Sequence, residues 1–253
     1  MEKTLPLWFG VYGKEYPIDE PAFFEPDQFE WASYLREQYP KIKEALAPLM
    51  ELHNEDLQPY FDTLLQDPPL NWKTIGFYFW GKKDNKNLQK YPAIEKILKQ
   101  IPSLVTCSFN MLEPNSRILP HYGETNAVYR VHLGIEIPAG LPECGFKVKD
   151  EQRAWEEGEL LVFLDANKHA AFNNTEKRRY VLLLDIMRPE FMHLKRKVCA
   201  TSLSILSLYW LLSKMPKLLT QKLQEKPDIM PSWLVSVILF PLKCIWFLLL
   251  LKK

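Results

Sequence analysis

Three histidines and two arginines hold the chemistry this sequence can offer. His121 sits in LPHYGETN, His132 follows Arg130 in YRVHLG, and His169 closes the run ELLVFLDANKH. Imidazole is the commonest side-chain ligand of a metal ion, so two such rings brought to one place could bind a divalent cation. Taken singly, each histidine is more simply a hydrogen-bonded structural residue. Three of the five, however, fall on or beside consecutive predicted strands, whereas His53 and His193 have no such partners and are assigned no role. Strand alternation puts Arg130, His132 and Gly134 on one face and Val131, Leu133, Ile135 and Ile137 on the other. In a half-exposed sheet the polar face would simply be solvated.

These residues need elements to position them. DQFEWASYLREQY, from Asp27, has helical apolar spacing behind a capping box of Asp27 and Glu30, and a second helix is expected to begin at Pro40. Both read as a supporting layer. IGFYFW predicts a strand over 75–80, and Pro92 opens a short helix with Ile94, Ile97, Leu98 and Ile101 on one side. Further strands are predicted over 104–112, 127–137, 146–149, 160–165 and 180–187, each bounded by Pro, Gly, Asn or Asp. No helix-length crossover separates them, so a sandwich or barrel is expected and a doubly wound parallel sheet is not. His121 and His169 would then share the mouth of that barrel. WEEGE, 155–159, reads as a turn with solvated acids and a tight bend at Gly158.

Composition excludes several classes. Among 253 residues, 32 basic against 31 acidic leave a net charge of +1, which argues against a nucleic-acid partner. Cys107, Cys144, Cys199 and Cys244 are scattered with no CxxC, so neither a thiolate metal site nor a disulfide framework is expected, and a reducing compartment suits them. MEKTLPLWFG lacks the pattern of a cleaved secretory signal.

The segments PHYGETNAVYRVHLGIEIP, WEEGELLVFLDANKHAAFNN and RRYVLLLDI keep one order and spacing: HxG, TN, RxHLG, WEEGE, a second histidine, then an arginine ten residues on. Over roughly 70–190 the chain resembles the aspartyl/asparaginyl β-hydroxylase family of Fe(II)- and 2-oxoglutarate-dependent oxygenases, which includes lipid A 2-hydroxylase-like proteins. The resemblance implies a mainly β fold with flanking helices, a double-stranded β-helix (jelly-roll, cupin-like) over 70–190, with helical support over 1–69 and a hydrophobic helical tail over 191–253. It implies Fe(II) held by His121 and His169, with 2-oxoglutarate and O2 as co-substrates. Arg130 and His132 would lie beside the keto-acid end of 2-oxoglutarate and Arg179 would pair with its distal carboxylate, while Trp72 and Asn110 would add pocket walls. Asn110 stands where relatives have serine. Arg178, of opposite parity, is expected to be exposed. Many 2-oxoglutarate oxygenases carry a ligand carboxylate two residues after the first histidine; this chain has Gly123 there, like the β-hydroxylase branch, and Glu124 and Asp165 are read as lying outside the ligand set or at the surface.

The tail suggests the substrate. Residues 198–213 carry no charge but would span about 24 Å as a helix, short of a bilayer core of about 30 Å. Residues 229–251 are longer but contain Pro231, Pro241 and Lys243. Lys195, Arg196 and Lys197 precede the pair, Lys214, Lys217, Lys222 and Lys226 separate it, and Lys252 and Lys253 follow. A shallow or re-entrant hairpin on the cytoplasmic membrane face accommodates all these cations; the alternative is a buried helical pair capping the barrel. Membrane placement makes a lipid acyl chain the expected substrate, hydroxylated at an unactivated C–H bond. The alternatives are β-hydroxylation of Asp or Asn side chains in a peptide or protein, and a membrane-tethered binding module without catalysis.

Overall fold

The long central strands are buried at nearly every position, on both faces, and the protein supplies helices on one face and a second sheet on the other. The computed structural model describes residues 5–10, 15–51, 54–214 and 232–251. His53, Pro231 and the basic residues Lys217, Lys222, Lys226, Lys252 and Lys253 lie outside the described residues.

The strands are β1 (Phe23–Phe24), β2 (Gln58–Pro59), β3 (Gln66–Asp67), β4 (Trp72–Phe79), β5 (Lys82–Lys83), β6 (Leu104–Leu112), β7 (Ser116–His121), β8 (Val128–Glu136), β9 (Cys144–Val148), β10 (Glu151–Arg153), β11 (Leu160–Leu164), β12 (His169–Asn173) and β13 (Arg179–Met187). The large sheet runs β1-β11-β8-β13-β6-β4-β2, with β5 on β4, and the small one runs β10-β9-β12-β7-β3. These are the two sheets of the expected jelly-roll. They do not join into a closed barrel, so the barrel alternative gives way to a sandwich. Residues 1–69 supply β1, β2 and β3 as well as a helix, and thus contribute to both sheets.

Val131, Leu133 and Ile135 of β8, with Phe109 and Met111 of β6, pack beneath α1 (Glu30–Met50) and α3 (Pro92–Leu98). Helix α2 (Asn85–Lys90) precedes α3, with Asp84 accepting from the Asn87 N–H as its cap. Helix α1 corrects two expectations. It continues through Pro40 and Pro48, and no second helix starts at Pro40. A proline forfeits one i→i−4 hydrogen bond, but Leu35, Ile42, Leu46 and Leu49 are all fully buried on the same face, so packing on either side of Pro40 holds one axis. Nor does Asp27 cap the helix: it accepts from Arg36 Nη1 at 2.5 Å, while Phe29, the residue before the helix, stacks on Trp31 with ring centres 4.8 Å apart.

The tail forms α4 (Lys195–Ser213) and α5 (Ser232–Leu251). Val198, Cys199, Leu203 and Leu206 of α4 pack on Trp80, Val105, Val128 and Met187 at one end of the sandwich. Trp246 of α5 donates to Ser207 Oγ at 3.0 Å, tying α5 to α4, while Phe240, Phe247 and Leu248 stand exposed. Among the described residues, no helix is long and apolar enough to cross a membrane.

Candidate active site

His121 ends β7 and His169 begins β12, and the two are cross-strand partners. Their ring centres lie 4.1 Å apart. Each Nδ1 is 2.8 Å from the carbonyl two residues earlier, Leu119 O for His121 and Asn167 O for His169. A carbonyl only accepts, so each Nδ1 donates and each Nε2 keeps its lone pair. Burial lowers His121 to about 4, and burial, His121 and Arg130 together hold His169 well below the usual value. Both rings are therefore neutral near pH 7, the state a metal ligand needs.

Gly123 has a steric reason. A Cβ at this position would fall inside the carboxylate of Asp165, whose backbone carbonyl also accepts from Gly123 N at 2.8 Å. Asp165 is fully buried, not at the surface as one alternative had it; its Oδ1 lies 3.8 Å from His169 Nε2 and makes an ion pair with Arg130 Nη1. Burial pushes Asp165 up to about 6 against the pull of Arg130, and burial with the charge of Asp165 pushes Glu124, in the cavity wall, up to about 8. Among the described residues no three His, Cys, Asp or Glu side chains group as a metal-binding set. Gly123→Ala should lower the unfolding midpoint by an amount equivalent to about 1–3 kcal/mol of overpacking. Gly76→Ala, whose Cβ would meet nothing within 4 Å, should cost far less in the same thermal melts.

The arginines divide sharply. Arg130 Nε and Nη2 donate to Asp185 at 2.7 and 3.0 Å, and its third nitrogen faces Asp165. Although burial opposes the charge, the two carboxylates raise its pKa further, so Arg130 is a charged and fully engaged member of a buried cluster. Arg179 is 2% exposed, and among the described residues no carboxylate pairs with it and its Nε has no acceptor. Its guanidinium lies 4.4 Å from the Trp155 ring centre. Burial lowers it to about 10, leaving it a cation at neutral pH. Trp155 also donates from Nε1 to His132 Nδ1 at 3.3 Å, which leaves His132 protonated on Nε2; burial, Arg179 and Arg130 keep that ring neutral. Arg178, of opposite parity, reaches Glu113 at 2.8 Å and is half-exposed.

A family model described as Aspartyl/Asparaginyl beta-hydroxylase matches residues 36–189, a span that holds every residue named in this site. The chain belongs to the aspartyl/asparaginyl β-hydroxylase family. The ornithine lipid ester-linked acyl 2-hydroxylase of Rhizobium tropici is 30% identical over 177 residues, covering 68% of this chain and 62% of that protein. The aspartyl/asparaginyl beta-hydroxylase of Homo sapiens is 25% identical over 132 residues, 50% of this chain and 17% of that one. The chain therefore spans less than two thirds of either relative. Among solved structures, a Pseudomonas putida prolyl-4-hydroxylase aligns with TM-score 0.38 and 14% identity, over 72% of this chain and 92% of that one, a likeness too distant to carry an argument.

Within this β-hydroxylase family member, His121, Arg130, Trp72 and Asn110 line one cavity of about 570 Å³, whereas His169, His132 and Arg179 lie in the packed interior outside its walls. Phe163 bridges the two interior histidines, its ring 5.1 Å from His132 and 5.4 Å from His169. Trp72 is a cavity wall: its Nε1 donates to Asn110 Oδ1 at 3.1 Å and its ring stacks on Tyr60 at 3.9 Å. Sequence reasoning missed three contributors: Trp155, Tyr60 and Asp185. Trp155 belongs to the WEEGE turn, where the positive φ of 81° at Gly158 is as expected. The acids of that turn are less free than expected, since Glu157 meets Lys43 at 2.6 Å and Glu159 meets Arg36 at 2.8 Å, tying the turn to α1. For a ferrous ion and 2-oxoglutarate the residues present fit. Two neutral Nε2 lone pairs suit the metal, and an unpaired buried guanidinium with an orphaned Nε suits a carboxylate.

Proposed function

We propose that this protein is an Fe(II)- and 2-oxoglutarate-dependent hydroxylase acting on an unactivated C–H bond in the acyl chain of a membrane lipid. The observation that carries the reading is the buried Arg179, without a carboxylate partner among the described residues, linked through Trp155 and Phe146 to His169, whose ring centre lies 4.1 Å from that of His121. An isolated buried cation costs several kcal/mol unless something neutralises it, and a planar fork is suited to a carboxylate. His121 and His169 would hold the metal, Arg179 would pair with the distal carboxylate of 2-oxoglutarate, and His132 would offer its Nε2–H near the keto-acid end. When bound, Fe(II), 2-oxoglutarate and O2 supply the oxidising power, with 2-oxoglutarate leaving as succinate and carbon dioxide.

The chain's own residues set the conditions. Asp165 and Asp185 offset the charge of Arg130 and so lessen its opposition to a metal ion beside His121. Phe146 and Phe163 pack around His132 and His169 and exclude water from the interior. The exposed apolar residues of α5 and the lysines around the tail support association with an anionic membrane surface, with the catalytic domain on the cytoplasmic side. The acyl substrate is supported by the name of the Rhizobium tropici relative and by the apolar residues Phe61, Leu64, Leu65, Leu183 and Leu206 in the cavity wall.

The test is succinate formation by the purified chain with Fe(II), ascorbate and 2-oxoglutarate, together with lipid mass spectra of cells with and without the protein. A lipid gaining one oxygen atom only when the protein is present is expected. Succinate stimulated by Asp- or Asn-containing peptides but never by lipid would overturn the substrate assignment.

Trp155 acts as a positioning residue. Trp155→Phe keeps a ring over Arg179 but loses the donor to His132, and should raise the Michaelis constant for 2-oxoglutarate by up to about tenfold, the equivalent of one hydrogen bond. Trp155→Leu loses both and should raise it further. Nitrogen NMR of the His132 ring should show a mixture of tautomers in both variants and a single one in the wild type.

A further inference from the structure

Strand register gives the large sheet's inner face an order. Arg179 is level with Leu112 and Trp72, Leu183 with His132 and Ser108, and Asp185 with Arg130 and Thr106. The six steps from Arg179 to Asp185 cover about 20 Å of strand. Just beyond, Met187 and Trp80 pack against Leu203 and Leu206 of α4. The guanidinium thus lies toward one end of the sandwich and α4 closes the other. The cavity beside His121 continues to that far end, where Leu206 and Tyr209 of α4 and Phe61, Leu64 and Leu65 of the 60–65 segment form its wall.

Resting on the substrate proposed above, we infer that α4 is part of the substrate site, and that one acyl chain of an anionic bilayer lipid reaches the histidine pair between Leu206 and Tyr209 on one side and Phe61 and Leu64 on the other. The tail is then a wall of the active site as well as an anchor. Three features fit this occupant. Phe61, Leu64, Leu65 and Leu206 give the far end of the cavity an apolar surface of the kind an acyl chain buries, with Asp62 beside them. Helix α5, packed on α4, turns Phe240, Phe247 and Leu248 outward, so the apolar surface continues from the cavity wall to the outside of the molecule. Lys82 lies 5.4 Å from the Trp246 ring centre, placing a cation at the margin of that surface where anionic headgroups would sit.

The experiment uses the full chain with phosphatidylglycerol vesicles containing a phosphatidylglycerol whose acyl chain bears a diazirine; after illumination, labelled residues are mapped by mass spectrometry. Labels on the wall around Leu64, Leu206 and Tyr209 are expected, and their loss in Leu206→Trp, whose indole would fill the passage. The wild-type map stands by itself should that variant fold poorly. Labels confined to Phe240, Phe247 and Leu248 would overturn the inference, as would equal labelling of the cavity by the same chain presented as monomeric lysolipid without vesicles. Iron-dependent succinate formation by the wild type, measured alongside, separates the outcomes: succinate without cavity labels refutes this passage alone, and no succinate refutes the hydroxylase reading itself.

Discussion

His121→Ala and His169→Ala should each reduce 2-oxoglutarate turnover more than about a hundredfold, beyond the 10–100-fold typical of losing a group that merely orients a ligand. In the proposed site two imidazoles are the protein's donors, so loss of one halves the set. Each Nδ1 is already committed to a backbone carbonyl, so a remaining ring cannot turn to compensate without giving up that bond. Both side chains end at the cross-strand pair of β7 and β12, and alanine there leaves every backbone ladder bond in place. The variants should therefore keep wild-type far-ultraviolet dichroism while succinate formation disappears. Wild-type turnover by either folded variant would remove that residue from the metal site.

Arg179 should show opposite effects on binding and stability. Removing one partner of a buried charge pair costs about 2–5 kcal/mol, equivalent to roughly a thirtyfold to several-thousandfold loss of affinity. Arg179→Met should therefore raise the Michaelis constant for 2-oxoglutarate by at least about thirtyfold, while Arg179→Lys, which keeps the charge but not the fork, should raise it less. Without co-substrate the sign reverses. Burial lowers the folded-state pKa to about 10 from an ordinary 12.5, so at neutral pH the charged form is disfavoured in the fold and Arg179 is destabilising. That penalty is present below about 10 and fades as pH rises past it. Arg179→Met should raise the unfolding midpoint of the ligand-free protein, by the equivalent of about 1 kcal/mol once the lost stacking on Trp155 is subtracted. A lowered midpoint with an unchanged Michaelis constant would assign Arg179 a purely structural part.

Much of this arrangement is readable from residue pattern, and the exceptions have physical causes. Long strands with β-branched and aromatic alternation are legible: the strand expected over 104–112 has those bounds, and the one expected over 180–187 extends only to Arg179. The two strands that hold the histidines are not. SRILPH contains a proline and HAAFN two alanines, and neither has the composition of a strand; pairing with each other within the small sheet makes them strands. The spaced motifs therefore located His121 and His169 without showing how they meet. Parity alone separated Arg179 from Arg178, but that Arg179 has no counter-ion among the described residues while Arg130 has two depends on tertiary contacts that no local pattern records. Asp165 is a similar case: four residues before His169, it fills the volume that a side chain at position 123 would need. Pro40 misled because the cost of one hydrogen bond is visible in sequence and the packing that outweighs it is not.

The most direct test is an anaerobic titration of the full-length chain with Fe(II) in the presence of 2-oxoglutarate, followed by the visible charge-transfer absorption of the iron–keto-acid chelate. Saturation at one iron per chain in the wild type, with no absorption when His121 and His169 are both alanine, is the expected result. A wild type that never develops the band, or a double variant that develops it at the same iron concentration, would contradict the account.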